Sequence, residues 1–298
     1  MKTDWKVYTL ESLDKEKWDQ LIYNSDQGNF YNQTSILECL PGKPIFYVKK
    51  DYSSGICLPF KNFGPISRIV QPPFIQQLGF ISKGKFDIDP YILSKLKRSK
   101  IPILRQGYHF NQGNIDLDFG PLKPQIKSSI NLVLELSKSL ENIRSSYSTN
   151  LKRNLKKGLK NEISIEDSIS IDDFMGQFFL NMNSRIKSVN PPTISMLKRM
   201  LINLKASGQI SLLTASKHSE TLGGIALGRF KERTTYWLGF SSQKGLEYGA
   251  MPLLLDKGIE NASKNCTEFD FEGGNLEGTR TFFEQFKPEQ KPFPVLIW

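Results

Sequence analysis

The chain has 298 residues, enough for two domains of roughly 100–200 residues each or for one large one. With 39% hydrophobic, 11% aromatic and 23% charged residues, it has the composition of a soluble globular protein, which excludes a disordered or collagen-like polymer. The 40 Lys plus Arg against 30 Asp plus Glu give a net charge of +10, which either favours anionic partners such as nucleotides, phosphorylated cofactors or nucleic acid, or keeps the surface soluble.

In chain order, residues 7–10 read as a short strand and 13–25 as a helix, with Trp18, Leu21 and Ile22 at helical spacing behind an acidic first turn of Asp14 and Glu16. A second short helix fits 34–40. Residues 44–49 and 55–60 are strand-like and are joined by DYSSG, a polar, glycine-ended hairpin loop. The stretch GPISRIVQPPFIQQLGFIS, rich in Pro, Gly and aromatics, predicts an extended, bent segment lying against a core or lining a cleft. A helix at 90–98, a strand at 101–105, a polar loop (HFNQGN) and a strand at 129–136 complete this mixed α/β part.

Beyond Ser137 the pattern turns helical as far as Asn161, with a break near 145–148. That places a domain junction there, giving domains 1–146 and 147–298. A helix over 171–187, a break at Asn190, Pro191 and Pro192, and a helix over 194–206 ended by Gly208 follow. Strands at 210–216, 222–230 and 234–240, linked by the polar turns KHSE and KER, predict an antiparallel meander. The next helix, 251–264, carries Met251, Leu254, Leu255, Gly258, Ile259 and Ala262 on one face. A strand at 268–272 alternates, with Phe269 and Phe271 on one side and Glu268, Asp270 and Glu272 on the other. A short helix at 276–286 and a strand at 292–298 end the chain, and neither an internal repeat nor a low-complexity segment interrupts it.

No apolar run approaches the ~18 residues needed to span a bilayer, and MKTDWKVYTLESLDKEKW has charge where a signal peptide needs an apolar core. A cytoplasmic chain without membrane insertion is the expectation. Three cysteines at wide spacing (Cys39, Cys57, Cys266) and only two histidines (His109, His218) exclude structural zinc, and no metal site is expected. Each cysteine lies in an apolar segment, where a free thiol is usually an inert small hydrophobe.

A meander, a central helix, a strand, a short helix and a last strand is the order of the acyl-CoA N-acyltransferase (GNAT) superfamily. The chain resembles its FemAB-like branch, in which two such folds are fused and which includes peptidoglycan interpeptide-bridge aminoacyltransferases. The resemblance rests on LVLELSKSLENIRSSYSTNLKRNLKKGLK, on TTYWLGFSS followed by YGAMPLLLDKGIENA, and on FDFEGGNLEGTRTFFEQF, and in outline on GNFYNQT and QPPFIQQLG. It implies an α/β (α+β) fold of two GNAT-like domains, each a mixed, largely antiparallel sheet flanked by helices. It also implies transfer of an acyl or aminoacyl group from an activated donor to an amine, possible acceptors including a cell-wall precursor. Branch members that use aminoacyl-tRNA commonly carry a Phe-Lys pair in the last helix; Phe282 and Phe283 stand at the matching places. Acyl-CoA enzymes carry a QxxGxG-like loop before the central helix; SSQKGLEYGAM has Gln243, Gly245 and Gly249 at a different spacing. The donor thus stays open between acyl-CoA and aminoacyl-tRNA, either one a substrate and not a tightly bound cofactor.

Four places are candidate sites. In the helix after the break, Leu151, Leu155 and Leu159 recur every four residues, so Lys152, Arg153, Lys156, Lys157 and Lys160 fall on the opposite arc. That arc is a landing surface for a phosphorylated substrate or RNA, with Arg153 as the best single anion contact, or simply a solvated face. A non-catalytic protein binding RNA or another polyanion through this helix is the alternative to an enzyme; specific DNA binding is not expected. The loop with Gln243, Gly245, Tyr248 and Gly249 precedes a helix start whose free N–H groups suit a phosphate, though glycine before a helix is also ordinary loop chemistry. Asp270 and Glu272, on one strand face, are candidate bases for the attacking amine, or polar groups bonded to the GG turn. Tyr236 can protonate a leaving thiolate or hydroxyl, or serve the core. Arg280, near Glu277, can hold a substrate carboxylate through its fork of donors or pair on the surface.

Overall fold

The computed structural model of the protein describes residues 4–63, 66–84, 88, 90–98, 107–182 and 190–297. The chain divides into two compact units, Met1–Ser129 with Pro292–Trp298, and Ile130–Lys291. The division falls inside a strand at 129/130, whereas the sequence pattern puts it at 146/147. The two helices around the 145–148 break pack on the central helix of the second unit and therefore belong to it.

In the first unit the chain runs β1 (Trp5–Thr9), α1 (Lys15–Tyr23), α2 (Thr34–Leu37), β2 (Ile45–Lys49), β3 (Ser54–Leu58), β4 (Phe60–Phe63), β5 (Ile66–Ile69), β6 (Phe80–Ser82), α3 (Pro90–Arg98) and β7 (Tyr108–His109). The order β1-β2-β3-β6 is antiparallel throughout, and β2 and β3 form the hairpin that DYSSG predicts. Asp14 caps α1 through the Lys17 N–H at 3.2 Å, and Trp18 is wholly buried with its indole N–H donating to Asn32 O at 2.8 Å. Within the Pro-rich segment Ile66–Ile69 forms β5, which pairs with β4, and the chain turns at Phe74, φ +61°, before β6. The segment's polar backbone is satisfied by the later NQGN stretch, where Asn111 Nδ2 donates to Leu78 O and Phe80 O at 2.9 and 2.8 Å. Asn114 Oδ1 accepts the Phe80 N–H at 2.8 Å. Buried amides thus replace a strand partner there. The strand expected at 101–105 lies outside the described residues.

The second unit begins within β8 (Ile126–Glu135), continues through α4 (Leu140–Ser146), α5 (Thr149–Lys160), β9 (Ser164–Glu166), α6 (Ile171–Met182), α7 (Pro191–Ala206), β10 (Ile210–Lys217), β11 (Glu220–Phe230), β12 (Arg233–Ser241), α8 (Gln243–Tyr248), α9 (Ala250–Ala262), β13 (Glu268–Asp270) and α10 (Glu277–Phe283), and ends within β14 (Glu289–Leu296), whose residues from Pro292 on belong to the first unit. The second unit's strands follow the order β8-β13-β12-β11-β10-β9. The meander β10-β11-β12 is antiparallel, and only the β12–β13 pair is parallel. α9 lays Leu254, Leu255 and Ile259, all fully buried, onto the sheet with Phe269 and Phe271. Burying large apolar side chains on one helix face is worth about 1.5–3 kcal/mol each before entropy is counted. α4 is tied to α9 by Arg144, whose Nη2 meets Asp256 Oδ2 at 2.7 Å and Glu260 Oε2 at 2.8 Å.

Three elements depart from the sequence reading. The loop before α9 contains a helix, α8, masked in sequence by its glycines. The three-residue strand β9 pairs with β10. The strand at 268–272 ends at Asp270, because Glu272 has φ +53°, in the left-handed region, and cannot continue an extended chain. The helix expected over 171–187 is described as far as Met182; the rest lies outside the described residues.

Candidate active site

The second unit holds a cleft of about 600 Å³ walled by β12, the α8–α9 junction and α10, with Asn154 of α5 and Asn181 of α6 at its edge. Its floor comes from a break in strand register. Ala226 pairs with Leu238, but Leu227 pairs with Tyr236, so Trp237 is an unopposed extra residue. Such a bulge re-aims neighbouring side chains, and Tyr236 and Gly239 consequently share a face. A Cβ on Gly239 would lie 2.0 Å from the Tyr236 hydroxyl, so the phenol occupies the space that a side chain at 239 would fill. Its ring packs edge-on against Phe283 at 5.5 Å.

The α8–α9 junction owes its shape to glycines. Gly249 has φ +84°, ends α8 and starts α9, and a Cβ there would meet Asn154 O of α5 at 2.9 Å. Gly245 brings α8 against the end of β11, where a Cβ would lie 1.9 Å from Leu222 O. Both glycines line the cleft, and close backbone packing by itself accounts for both. Gly249 offers no side chain to cap α9, so that helix presents its partly positive N-terminal end uncapped beside the cleft.

Among the described residues, the Tyr236 hydroxyl, the Asn154 amide and the Thr279 hydroxyl, all lining the cleft, have no protein hydrogen-bond partner. Asn181, by contrast, donates to Gln177 O at 2.8 Å. Burial, and secondarily the negative charge of Glu272, pushes the Tyr236 phenol well above its ordinary range. It therefore keeps its proton at neutral pH and can give one to a departing anion. Among the described residues, no Asp, Glu, Lys, Arg or His lines the cleft.

The other residues singled out by sequence lie elsewhere. Asp270 is buried at 4% exposure; Asn131 Nδ2 donates to both its oxygens at 2.8 Å and the Glu272 N–H donates to Oδ1 at 2.8 Å. Arg233 clamps the same strand face, 2.6 Å from Glu268 and 3.4 Å from Asp270. Burial raises the Asp270 carboxyl, and Arg233, the Glu272 N–H and Asn131 oppose that rise. Asp270 does not line the cleft and its acceptor capacity is used, so the arrangement is that of a structural anchor. The shared face expected for Asp270 and Glu272 does not form, since β13 stops between them. Arg280 is paired within α10, Nε to Glu284 Oε1 at 2.9 Å. Gln243 donates to Glu247 at 3.3 Å, and the Tyr248 ring lies under Lys217 at 5.7 Å; neither lines the cleft.

On α5, Leu151 and Gly158 are buried and Leu155 is half-buried while Lys152, Arg153, Lys156, Lys157 and Lys160 are exposed; Leu159, expected on the leucine arc, is 68% exposed instead, and none of the five cations makes an ion pair among the described residues. Lys152 Nζ donates to Ser145 O at 2.5 Å. Lys157 lies one turn along α5 from Asn154, at i+3 on the helix surface. Sequence reasoning missed Asn154, Thr279, Gly239, Leu246 and Leu276. Only Gly239, a glycine inside a strand pattern, carried a signal, that of a bulge or close approach.

Residues 145–287 match the acetyltransferase (GNAT) domain family. Among solved structures, FemX superposes with a TM-score of 0.68 at 12% identity, over 98% of this chain and 97% of that one. L-PGS from Bacillus licheniformis gives 0.53 at 11% identity, over 95% and 91%. A tandem GNAT protein from the clavulanic acid biosynthesis pathway gives 0.51 at 10% identity, over 98% and 97%. At these identities the likeness is one of fold. Comparison with curated proteins gives no match.

Proposed function

We propose that the chain is an acyltransferase whose cleft beside Tyr236 transfers an acyl group from a phosphate-bearing activated donor to an amine; the match of residues 145–287 to the acetyltransferase (GNAT) domain family and the likeness of fold to FemX and to a tandem GNAT protein support this reading. The observation that carries this reading is the Tyr236 hydroxyl, held protonated in the cleft and without a protein partner.

In the reaction, the amine lone pair forms the N–C bond to the acyl carbon, and the bond from that carbon to the leaving sulfur or oxygen breaks. The leaving group takes its electron pair and the proton of Tyr236, which solvent restores. The ammonium of the tetrahedral adduct gives its proton to water, since among the described residues no carboxylate or imidazole lines the cleft. Catalysis here is mainly orientation and charge stabilisation. The uncapped start of α9 suits a donor phosphate, and the Asn154 amide suits the developing oxyanion.

Acyl-CoA is the first donor to test. Aminoacyl-tRNA is the second, favoured by the five exposed cations of α5, the helix that carries Asn154. A protein that binds RNA or another polyanion without chemistry rests on the same helix. The test is a mass-spectrometric assay of both donors with amine acceptors, cell-wall precursor amines included, on wild type and Tyr236→Phe. N-acylated amine with wild type and strongly reduced product with the variant is expected. Absence of product and of donor binding, with RNA still bound, would replace the enzyme by the binding protein.

A further inference from the structure

The cleft breaks two local rules at its rim. Leu276 is the N-cap residue of α10, a position that favours Ser, Thr, Asp or Asn, and it makes no capping bond. It is also 70% exposed. A leucine there costs helix stability and leaves apolar surface in water. Leu246 of α8, on the same cleft, is 56% exposed. Single exposed leucines are ordinary, but exposed ones grouped with further apolar side chains around a concavity mark a binding surface. Met251 and Phe282, both partly buried, continue this apolar lining. A local rule broken without structural gain is what a functional site shows.

The cleft therefore has two characters. Tyr236, Asn154 and Thr279 contribute polar atoms with no protein partner, and the start of α9 contributes its uncapped end. The remaining wall is mainly apolar, Asn181 and Ser241 apart, and among the described residues no charged side chain lines it. An acetyl group would touch little of about 600 Å³. A charged acyl group would lie against that wall without a counter-ion, a costly arrangement.

Resting on the donor reading above, we infer that the transferred group is a bulky, uncharged, apolar acyl group, medium-chain or aromatic, with its reacting carbon at Tyr236 and its apolar part against Leu246, Met251, Leu276 and Phe282.

The test is calorimetric titration of free CoA and of acetyl-, butyryl-, octanoyl-, benzoyl- and succinyl-CoA into wild type, into Leu246→Ser/Leu276→Ser, and into Leu159→Ser. Leu159 is an exposed leucine of α5 outside the cleft lining and serves as the control. Octanoyl-CoA should bind at least about 10-fold tighter than acetyl-CoA, since a few buried methylenes suffice for that factor. Succinyl-CoA should gain nothing over acetyl-CoA. The double variant should lose most of the gain with free CoA affinity unchanged, and Leu159→Ser should keep it. Measurable CoA binding with flat affinity along the series would overturn the acyl-group inference and leave the donor reading standing. So would an octanoyl gain that survives in the double variant. If neither CoA nor any thioester binds, the CoA-donor reading fails and takes the inference with it.

Discussion

Two polar clusters lie on neighbouring strands of the second unit, where Asp270 pairs in register with Thr235, the residue before Tyr236, and they differ in where their hydrogen bonds go. Around Asp270 the capacity is used inside the protein: Asn131, the Glu272 N–H and Arg233 converge on one buried carboxylate. Around Tyr236 the polar atoms of three side chains are left without protein partners and line a cleft. Phe271, which follows Asp270, and Phe283, which packs on Tyr236, touch each other and belong to the same core. Buried polar groups that are satisfied define structure, whereas polar groups left open towards a concavity are available to a ligand. A carboxylate beside a glycine turn is the more eye-catching catalytic candidate in sequence, yet the quieter tyrosine holds the accessible proton.

The sharpest way to break this contrast is Tyr236→Phe. Turnover should fall by about 10²- to 10⁴-fold, the usual worth of general acid catalysis, with donor affinity and thermal midpoint nearly unchanged. A variant that retains its rate means the leaving group departs without this proton. Gly239→Ala tests the same hydroxyl indirectly, since the new Cβ would occupy its position at 2.0 Å. The rate should drop by at least about 10-fold, because small misplacements of a reacting group are costly, and crystallography of the variant should find the phenol moved.

At the other cluster, Asp270→Asn sets an amide N–H₂ against three converging donors. Stability should fall by about 1–3 kcal/mol in denaturant titration, and any loss of rate should follow the loss of folded protein. The pH profile separates the clusters once more. An acid catalyst works in its protonated form, so a phenol raised above its ordinary 10.0 by burial and by Glu272 extends activity upwards, and kcat should show no tyrosine limb below pH 10. A limb near pH 9 that disappears in Tyr236→Phe would mean a lowered phenol instead. The smallest effect expected is at α5: Lys152, Arg153 and Lys156 changed together to Gln should flatten the salt dependence of polyanion binding, and an identical slope would leave that face a solubilising one.

What the sequence disclosed of this arrangement follows its physics. The β10-β11-β12 meander and the apolar face of α9 are periodic, and periodicity is readable from one chain; on α5 the expected leucine arc fails at Leu159, which is exposed, while Gly158 takes the buried place. α8 escaped because Gly245 and neighbouring Gly249 look like loop, although the first is there for contact with Leu222 O and the second for a left-handed turn towards α5. The end of β13 escaped because a glutamate at φ +53° has no composition signal. Of the site, Tyr236, Gly245 and Gly249 were named from sequence and line the cleft. Asn154 hides among five cations, and Thr279 and Leu276 gain meaning only once α10 is folded over the bulge of β12.

Hydrogen–deuterium exchange with and without octanoyl-CoA addresses the central claim, that the cleft of the second unit takes the donor. The account predicts slowed exchange at residues 245–254, where α8 and α9 meet, and at 276–283, with the Asp270 turn unchanged because its amides are already bonded. Protection confined to other segments under saturating thioester, with 245–254 and 276–283 exchanging as in the free protein, would contradict it.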